Sequence, residues 1–461
     1  MFARLTNFFV RYMQKYMPDP YLFAIILTLL VVVLNFWLVP QTTMSGVINA
    51  WYQGVWGSQN IFTFALQMTL ILVCGTTLAQ APLIKRGLER LAALPQNQVQ
   101  AAIMCFLVGA VGSLINWGLG LVIGTILAKE IAKRLEHMDF GYVVAAAYMG
   151  FIVWTSGFSS SIVLANADPS SALNIIYKMT KQTVGIENDI LTLYNIVPVA
   201  LTLMVFPFML KWIAPTDIKP IDRSVLLKAE TAAASELALQ PNQLNESKTF
   251  ASRLENAWIL NLILVAAGFY QFFGPLKGAV TINTMILLFT LLGLLFHWTP
   301  IRYVRAFCES AKASGSLLLQ YPLYGGIMAL MAYVPAKGID PLQTVLASEL
   351  VQAATAYTLP FFNYIGSCII TMFVPSGGGH WAVQGPVSIQ AAMALGQTSP
   401  EYLGKISMSV AFGEGVFNMI QPFWALPILA LAGLTIRDIM GYCVMALLFG
   451  FTIFGAALLI F

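Results

Sequence analysis

The sequence predicts an all-α polytopic membrane protein, built as an inverted repeat with two re-entrant helical hairpins and two broken transmembrane helices. Composition is the first observation: the 461 residues are 58% hydrophobic and 10% charged, where a soluble domain carries about 25% charged residues. Secondly, several apolar runs, such as 21–39 and 442–461, approach or reach the roughly 20 residues that span a bilayer. The runs do not alternate apolar and polar residues, which excludes a β-barrel. Thirdly, Gly-rich interruptions sit inside apolar stretches at two places roughly 260 residues apart: 112–120 (GSLINWGLG) and 375–381 (PSGGGHW). About 40 residues after each comes a second polar break, at 155–160 (TSGFSS) and at 413–418 (GEGVFN).

In chain order, the apolar runs place crossings at 21–39 and 61–79, followed by an amphipathic connector at 81–94 and a broken apolar stretch at 98–128. Lys85, Arg86 and Arg90 precede that stretch and Lys129, Lys133 and Arg134 follow it. Both ends therefore belong on the basic, cytoplasmic side. Two full spans need roughly 40 residues, more than this stretch holds, so it is a hairpin whose tip is 113–120. Crossings at 141–166, with the break at 155–160, and at 190–212 complete the first repeat, residues 1–213. Residues 214–256 form the one long polar stretch, a cytoplasmic linker. The second unit, 257–461, opens with a linking helix at 257–273. Crossings at 279–298 and 317–334 and a connector at 340–352 follow. The second hairpin, 355–395, contains no Lys or Arg and enters from the opposite side. Crossings at 406–434, broken at 413–418, and at 440–461 end the chain.

Span 21–39 matches 279–298, span 61–79 matches 317–334, and Gln67 and Gln320 hold comparable places in the second pair. The linking helix has no partner and inverts the second half. With this topology all of the 24 Lys and Arg lie on the cytoplasmic side except Lys178, Lys181, Lys277, Lys337 and Lys405. The N-terminus is then cytoplasmic and the C-terminus periplasmic. An amphipathic stretch runs to Met17, and no small-residue cleavage site follows the first apolar run, so no cleavable signal peptide is expected. The net charge of +4 is distributed by topology, so the expected partner is the lipid bilayer and not nucleic acid. The five cysteines are scattered without CxxC spacing and read as small hydrophobes.

Non-helical backbone at membrane depth is tolerated only where protein buries it or it lines a cavity. Paired interruptions in matching positions of two halves point to a transporter's binding site. A hairpin tip exposes the N-terminal amides of its second helix, where an anion is favoured. The substrate-binding candidates are therefore Ser113, Asn116 and Gly118 at the first tip, with Ser376, Gly377, Gly378, Gly379 and His380 at the second. Thr155, Ser156 and Ser159 face the first tip and Asn418 and Gln421 the second, to line the cavity or serve a coupling ion. Close helix packing is the competing use of the same Gly and Ser residues. Glu414 is the acidic residue inside a predicted span, a position usually functional; it suits a coupling proton, a cation, or a pairing with His380. The titration range of His380 suits a pH-sensitive step. Trp117 and Trp381 can wall an apolar pocket. No HExxH, Walker A, dinucleotide fingerprint or Cys/His metal cluster is present. The 156–160 segment lacks GxSxG spacing, and 377–380 reverses the HGGG order. No enzyme, no cofactor and no metal site is expected.

The stretch 374–386 (VPSGGGHWAVQGP), with 112–120, 17–21 (MPDPY) and 421–427 (QPFWALP), resembles the AtoE-type short-chain fatty acid transporters of bacteria over essentially the whole chain. That resemblance implies symport or uptake of short monocarboxylates, such as butyrate or acetoacetate, across the bacterial inner membrane. It also suggests kinship with a superfamily in which some members are homodimers working as elevators; the expected driving force is a H+ or Na+ gradient. Dicarboxylate members carry Ser-Asn-Thr at the tips; neither tip here does. No Arg lies within any break to clamp a second carboxylate, so the site is easier to build for one negative charge. An anion channel or facilitator is the nearest alternative, and an intramembrane hydrolase using His380 a more distant one.

Overall fold

The computed structural model describes residues 20–216, 218, 249–372 and 374–461. The amphipathic N-terminal stretch and most of the 214–256 linker lie outside the described residues. Among the described residues the chain is helical throughout, with no strand. The first half runs α1 (Pro20–Leu38), α2 (Met44–Val55), α3 (Phe62–Ala79), α4 (Pro82–Leu91), α5 (Gln98–Ile115), α6 (Trp117–Ala132), α7 (Phe140–Met149), α8 (Ser161–Ala167), α9 (Ile175–Thr180) and α10 (Leu193–Ile213). A 3-10 turn, Gly150–Ser156, continues α7 towards the break before α8. After α11 (Phe250–Glu255) and α12 (Trp258–Phe273), the second half runs α13 (Ile282–His297), α14 (Pro300–Ala311), α15 (Gly315–Met331), α16 (Leu342–Ala353), α17 (Leu359–Thr371), α18 (Gly377–Ala394), α19 (Pro400–Phe417), α20 (Ala425–Ala432) and α21 (Ile436–Ile460).

The halves correspond element by element, α1 through α8 with α13 through α20 and α10 with α21. Their packing repeats the same correspondence: α3 packs on α6 as α15 packs on α18, α5 on α7 as α17 on α19, and α4 on α6 as α16 on α18. Between halves, α13 lies against α3 as α1 lies against α15, and α2 against α15 as α14 against α3. Charge marks the inversion. The short helix α4 carries Lys85, Arg86 and Arg90, whereas its counterpart α16 has no basic residue. Helix α14 carries Arg302 and Arg305, whereas α2 has no charge. Helices α2 and α14 are additions to the sequence-based scheme, which left 44–55 and 300–311 as connections. They are short amphipathic helices, too short to span, which a search for apolar runs passes over.

Both hairpins form as expected. Asn116 is the single extended residue between α5 and α6, closing one helix and opening the next. Its backbone N–H bonds Gly112 O at 2.8 Å, and its side-chain oxygen accepts from Leu119 N–H at 2.9 Å. The second break lies later than the 413–418 reading. Helix α19 runs unbroken through Gly413, Glu414 and Gly415, and the interruption is 418–424. These two glycines serve packing, not bending. A Cβ at Gly413 would sit 2.5 Å from the Ser367 side chain, and one at Gly415 would sit 2.7 Å from Ile152 O. The break itself contains Pro422, which has no N–H to continue the ladder.

The hairpins and broken helices form the buried centre: the 140–167 segment is almost wholly enclosed by protein, whereas α1 and α12 are largely uncovered. The exposed faces of α1 and α12 carry Leu22, Ile26, Leu29, Leu262, Ile263 and Leu264, a surface suited to lipid tails.

Candidate functional site

The first tip is tied to the first break by two bonds donated from backbone amides. Trp117 N–H donates to Ser159 Oγ at 2.8 Å, and Phe158 N–H donates to Leu114 O at 2.8 Å. Asn116 Nδ2 reaches Ile71 O of α3 at 3.3 Å, and Gly118 lets α6 approach Leu72, whose Cα would be 3.0 Å from an added Cβ. The Ser113 hydroxyl bonds Gly109 O, one turn back on its own helix, at 2.7 Å.

The second tip is anchored in the same manner, by Trp424 Nε1 donating to Pro375 O at 2.5 Å. Ser376 Oγ donates to the Tyr321 hydroxyl of α15 at 3.0 Å. Helix α18 then starts at Gly377, where a run of three glycines brings its first turn against neighbouring side chains. Added Cβ atoms would collide with Phe64 at Gly378 and with Tyr324 at Gly379. His380 is fully buried and turned into its own hairpin: Nε2 lies 2.7 Å from Gln384 Oε1 and Nδ1 3.4 Å from Thr371 Oγ1. Gln384 carries the chain of bonds on to Asn363, which also accepts from Ser388 Oγ at 2.8 Å.

The two broken helices cross at the centre. Gly415 of α19 meets Thr155, whose Oγ1 would stand 2.8 Å from an added Cβ. Trp154 Nε1 donates to Asn418 Oδ1 at 3.0 Å and the Tyr148 hydroxyl to Asn418 O at 2.6 Å. Glu414, one turn before the break, is fully buried, and neither carboxylate oxygen has a hydrogen-bond partner. It is not paired with His380. Its Oε2 faces the start of α18, 3.1 Å from where a Cβ on Gly377 would be, and the Ser161 hydroxyl approaches the same point.

A narrow cavity, with room for about one water molecule, opens where these parts meet. Ser376, Gly377 and Ser161 line one side; Trp117, Trp154, Phe151 and Trp424 form an aromatic wall, and Met68, Leu317 and Tyr321 close it from α3 and α15. Trp117 meets Trp424 edge-on at 5.1 Å and Trp154 at 6.1 Å, while Phe151 stacks on Trp154 at 5.5 Å. No cationic side chain lines it.

Of the candidates, Ser376 and Gly377 thus line the cavity and Glu414 stands behind it. Ser159 and Asn116 brace the first tip, and Thr155 and Asn418 hold the crossing. Gln421 caps its own turn by accepting from Phe423 N–H at 2.8 Å. The Ser156 hydroxyl has no partner, although its carbonyl accepts from Asn195. Trp381 donates to Leu173 O and lies away from the cavity. The sequence reading missed Trp154, Ser161, Met68, Tyr321 and Trp424. Met68 and Tyr321 each follow the matched Gln67 and Gln320, so the repeat correspondence already contained the signal. Among the described residues, no group of three His, Cys, Asp or Glu stands together as a metal site.

A family model described as short chain fatty acid transporter matches residues 1–461. The chain belongs to the short-chain fatty acid transporter family. A relative in Escherichia coli (strain K12), provisionally named a short-chain fatty acid transporter, is 37% identical over 466 residues, covering 100% of both chains. One in Haemophilus influenzae with the same provisional name is 33% identical over 462 residues, covering 98% of each. Two solved transporters share the fold. The Alcanivorax borkumensis YdaH transporter, described as having an unusual topology, aligns with a TM-score of 0.53 at 15% identity, covering 95% of this chain and 98% of its own. Neisseria gonorrhoeae MtrF, described within a class of antimetabolite efflux pumps, aligns with a TM-score of 0.54 at 17% identity, covering 99% and 97%. The protein is a multi-pass membrane transporter.

Proposed function

We propose that this protein is a secondary active transporter that takes short-chain monocarboxylates across the bacterial inner membrane, coupled to a proton or sodium gradient. The carrying observation is the cavity at the two tips. Its polar groups come from the start of α18, where Ser376 and Gly377 reach the lining and the first-turn amides have no intrahelical acceptor, and from the Ser161 hydroxyl. That is a seat for one carboxylate. The rest of the lining is apolar and aromatic, suited to a short alkyl chain. The absence of Arg or Lys from the lining argues against a second carboxylate on the substrate. The basic residues of α4 and α14 support a cytoplasmic location for those helices, with the N-terminus inside and the C-terminus in the periplasm. Movement of hairpins and broken helices against the rest, elevator fashion and in a homodimer, completes the reading.

The test is uptake of labelled butyrate into proteoliposomes with pH and sodium gradients imposed separately. Saturable accumulation above equilibrium under either gradient is expected. Uptake that never saturates would make the protein a channel, and no protein-dependent uptake would reject the substrate class.

A further inference from the structure

We propose that Glu414 is the proton-binding group of this site, placed so that one proton and one monocarboxylate anion occupy the N-terminus of α18 only together. This rests on the reading above, in which the substrate carboxylate sits at Gly377 to Gly379. The geometry puts a second carboxyl group at the same place. Glu414 Oε2 faces Gly377 beside the Ser161 hydroxyl, fully buried, and both its oxygens lack a hydrogen-bond partner. A carboxylate without hydrogen bond or counter-ion is costly to bury; the uncharged acid is much less so. With Glu414 ionised, a substrate carboxylate at the α18 amides would meet a like charge a few Å away in a low-dielectric site, which disfavours both. A proton on Glu414 removes that conflict. By linkage, the proton raises substrate affinity by the factor by which substrate raises proton affinity.

Among the described residues, the surroundings offer no competing charge. From α15 the Tyr321 hydroxyl is within electrostatic reach of Glu414. The 3-10 turn presents Trp154 and Thr155, and α8 presents Ser161. Helix α17 meets the neighbouring Gly413 with Ser367; its Tyr364 hydroxyl donates to Phe451 O of α21, beside Cys368. Cys443 of α21 faces Tyr148. From α18, His380 is turned to Thr371 and Gln384. On α19 itself, Lys405 is nine residues away, about 13 Å along the axis, and Glu401 is further. Asp189, from the segment ahead of α10, lies near Tyr194 and Glu401 at that distant end.

The experiment measures butyrate binding to full-length protein in nanodiscs from about pH 6 to 9, where the probe is ionised. Wild type is expected to lose affinity as pH rises, by up to about tenfold per pH unit for one linked proton. Glu414→Gln is expected to bind with the low-pH affinity at every pH. In proteoliposomes it should keep butyrate–butyrate exchange and lose accumulation driven by a pH gradient. Glu414→Asp should restore the pH slope, which separates proton binding from mere packing. An unchanged slope and unchanged accumulation in Glu414→Gln would overturn the proposal, as would a wild type that responds to sodium and not to pH. Wild type that binds no butyrate at any pH would instead sink the monocarboxylate reading itself.

Discussion

At the residue scale, the site is defined by what cannot be larger than glycine. A Cβ on Gly377 would sit 2.8 Å from the Trp154 ring and 3.1 Å from Glu414 Oε2, where the proposed function seats the carboxylate. Gly377→Ala is expected to weaken butyrate uptake about tenfold or more in kcat/KM, about 1.4 kcal/mol. Gly87→Ala on α4, with nothing within 4 Å, is the control and should transport normally. The family's Gly-rich tip was legible in the sequence, but which glycine lines the cavity was not, because Gly378 and Gly379 differ from Gly377 only in what packs against them. Asp189 carries a separate prediction. It lies ahead of α10, outside the membrane-spanning segments, and burial pushes its carboxyl up to about 8 despite the bond from Ile190 N–H at 2.7 Å. The unfolded value is about 4, so between the two values the folded state holds a proton that the unfolded state has released. Stability from this group is therefore full below about pH 4 and falls as pH rises to about 8, by at most about 1.4 kcal/mol per pH unit. Asp189→Asn should melt above wild type at about pH 8.5 and show no such advantage at about pH 4. Equal melting curves at both pH values would remove Asp189 from the account.

At the element scale, each hairpin is a pair of helices held to the neighbouring break by specific bonds. Asn116 closes α5, opens α6 and ties the tip to α3 through Ile71 O. Asn116→Ala is expected to cost about 1–2 kcal/mol, read as a lower melting temperature in detergent together with reduced uptake. The chain showed both hairpins through their charge flanks and glycines. It misplaced the second break because glycine has two uses, and Gly413 and Gly415 serve close packing within an intact helix. A sequence shows that a side chain is absent; only the neighbouring helix shows whether the space is filled.

At the scale of the whole molecule, the repeat correspondence and its charge contrast carry the proposed orientation. Cys308 on α14 is the exposed cysteine, and the other four are buried. With α14 cytoplasmic, a membrane-impermeant maleimide is expected to label Cys308 in inside-out vesicles and not in right-side-out cells. The reverse pattern would invert the proposed topology. The sequence by itself determined the polytopic helical class, the paired hairpins and the family, since apolar run length, Lys and Arg distribution and the glycine motifs are local quantities. Only the tertiary structure decided which residues share the cavity. Met68, Trp117, Trp154, Tyr321, Gly377 and Trp424 come from far-apart segments, and their meeting depends on how α3, α15 and the two hairpins pack. The same packing leaves Glu414 facing the start of α18 without a partner.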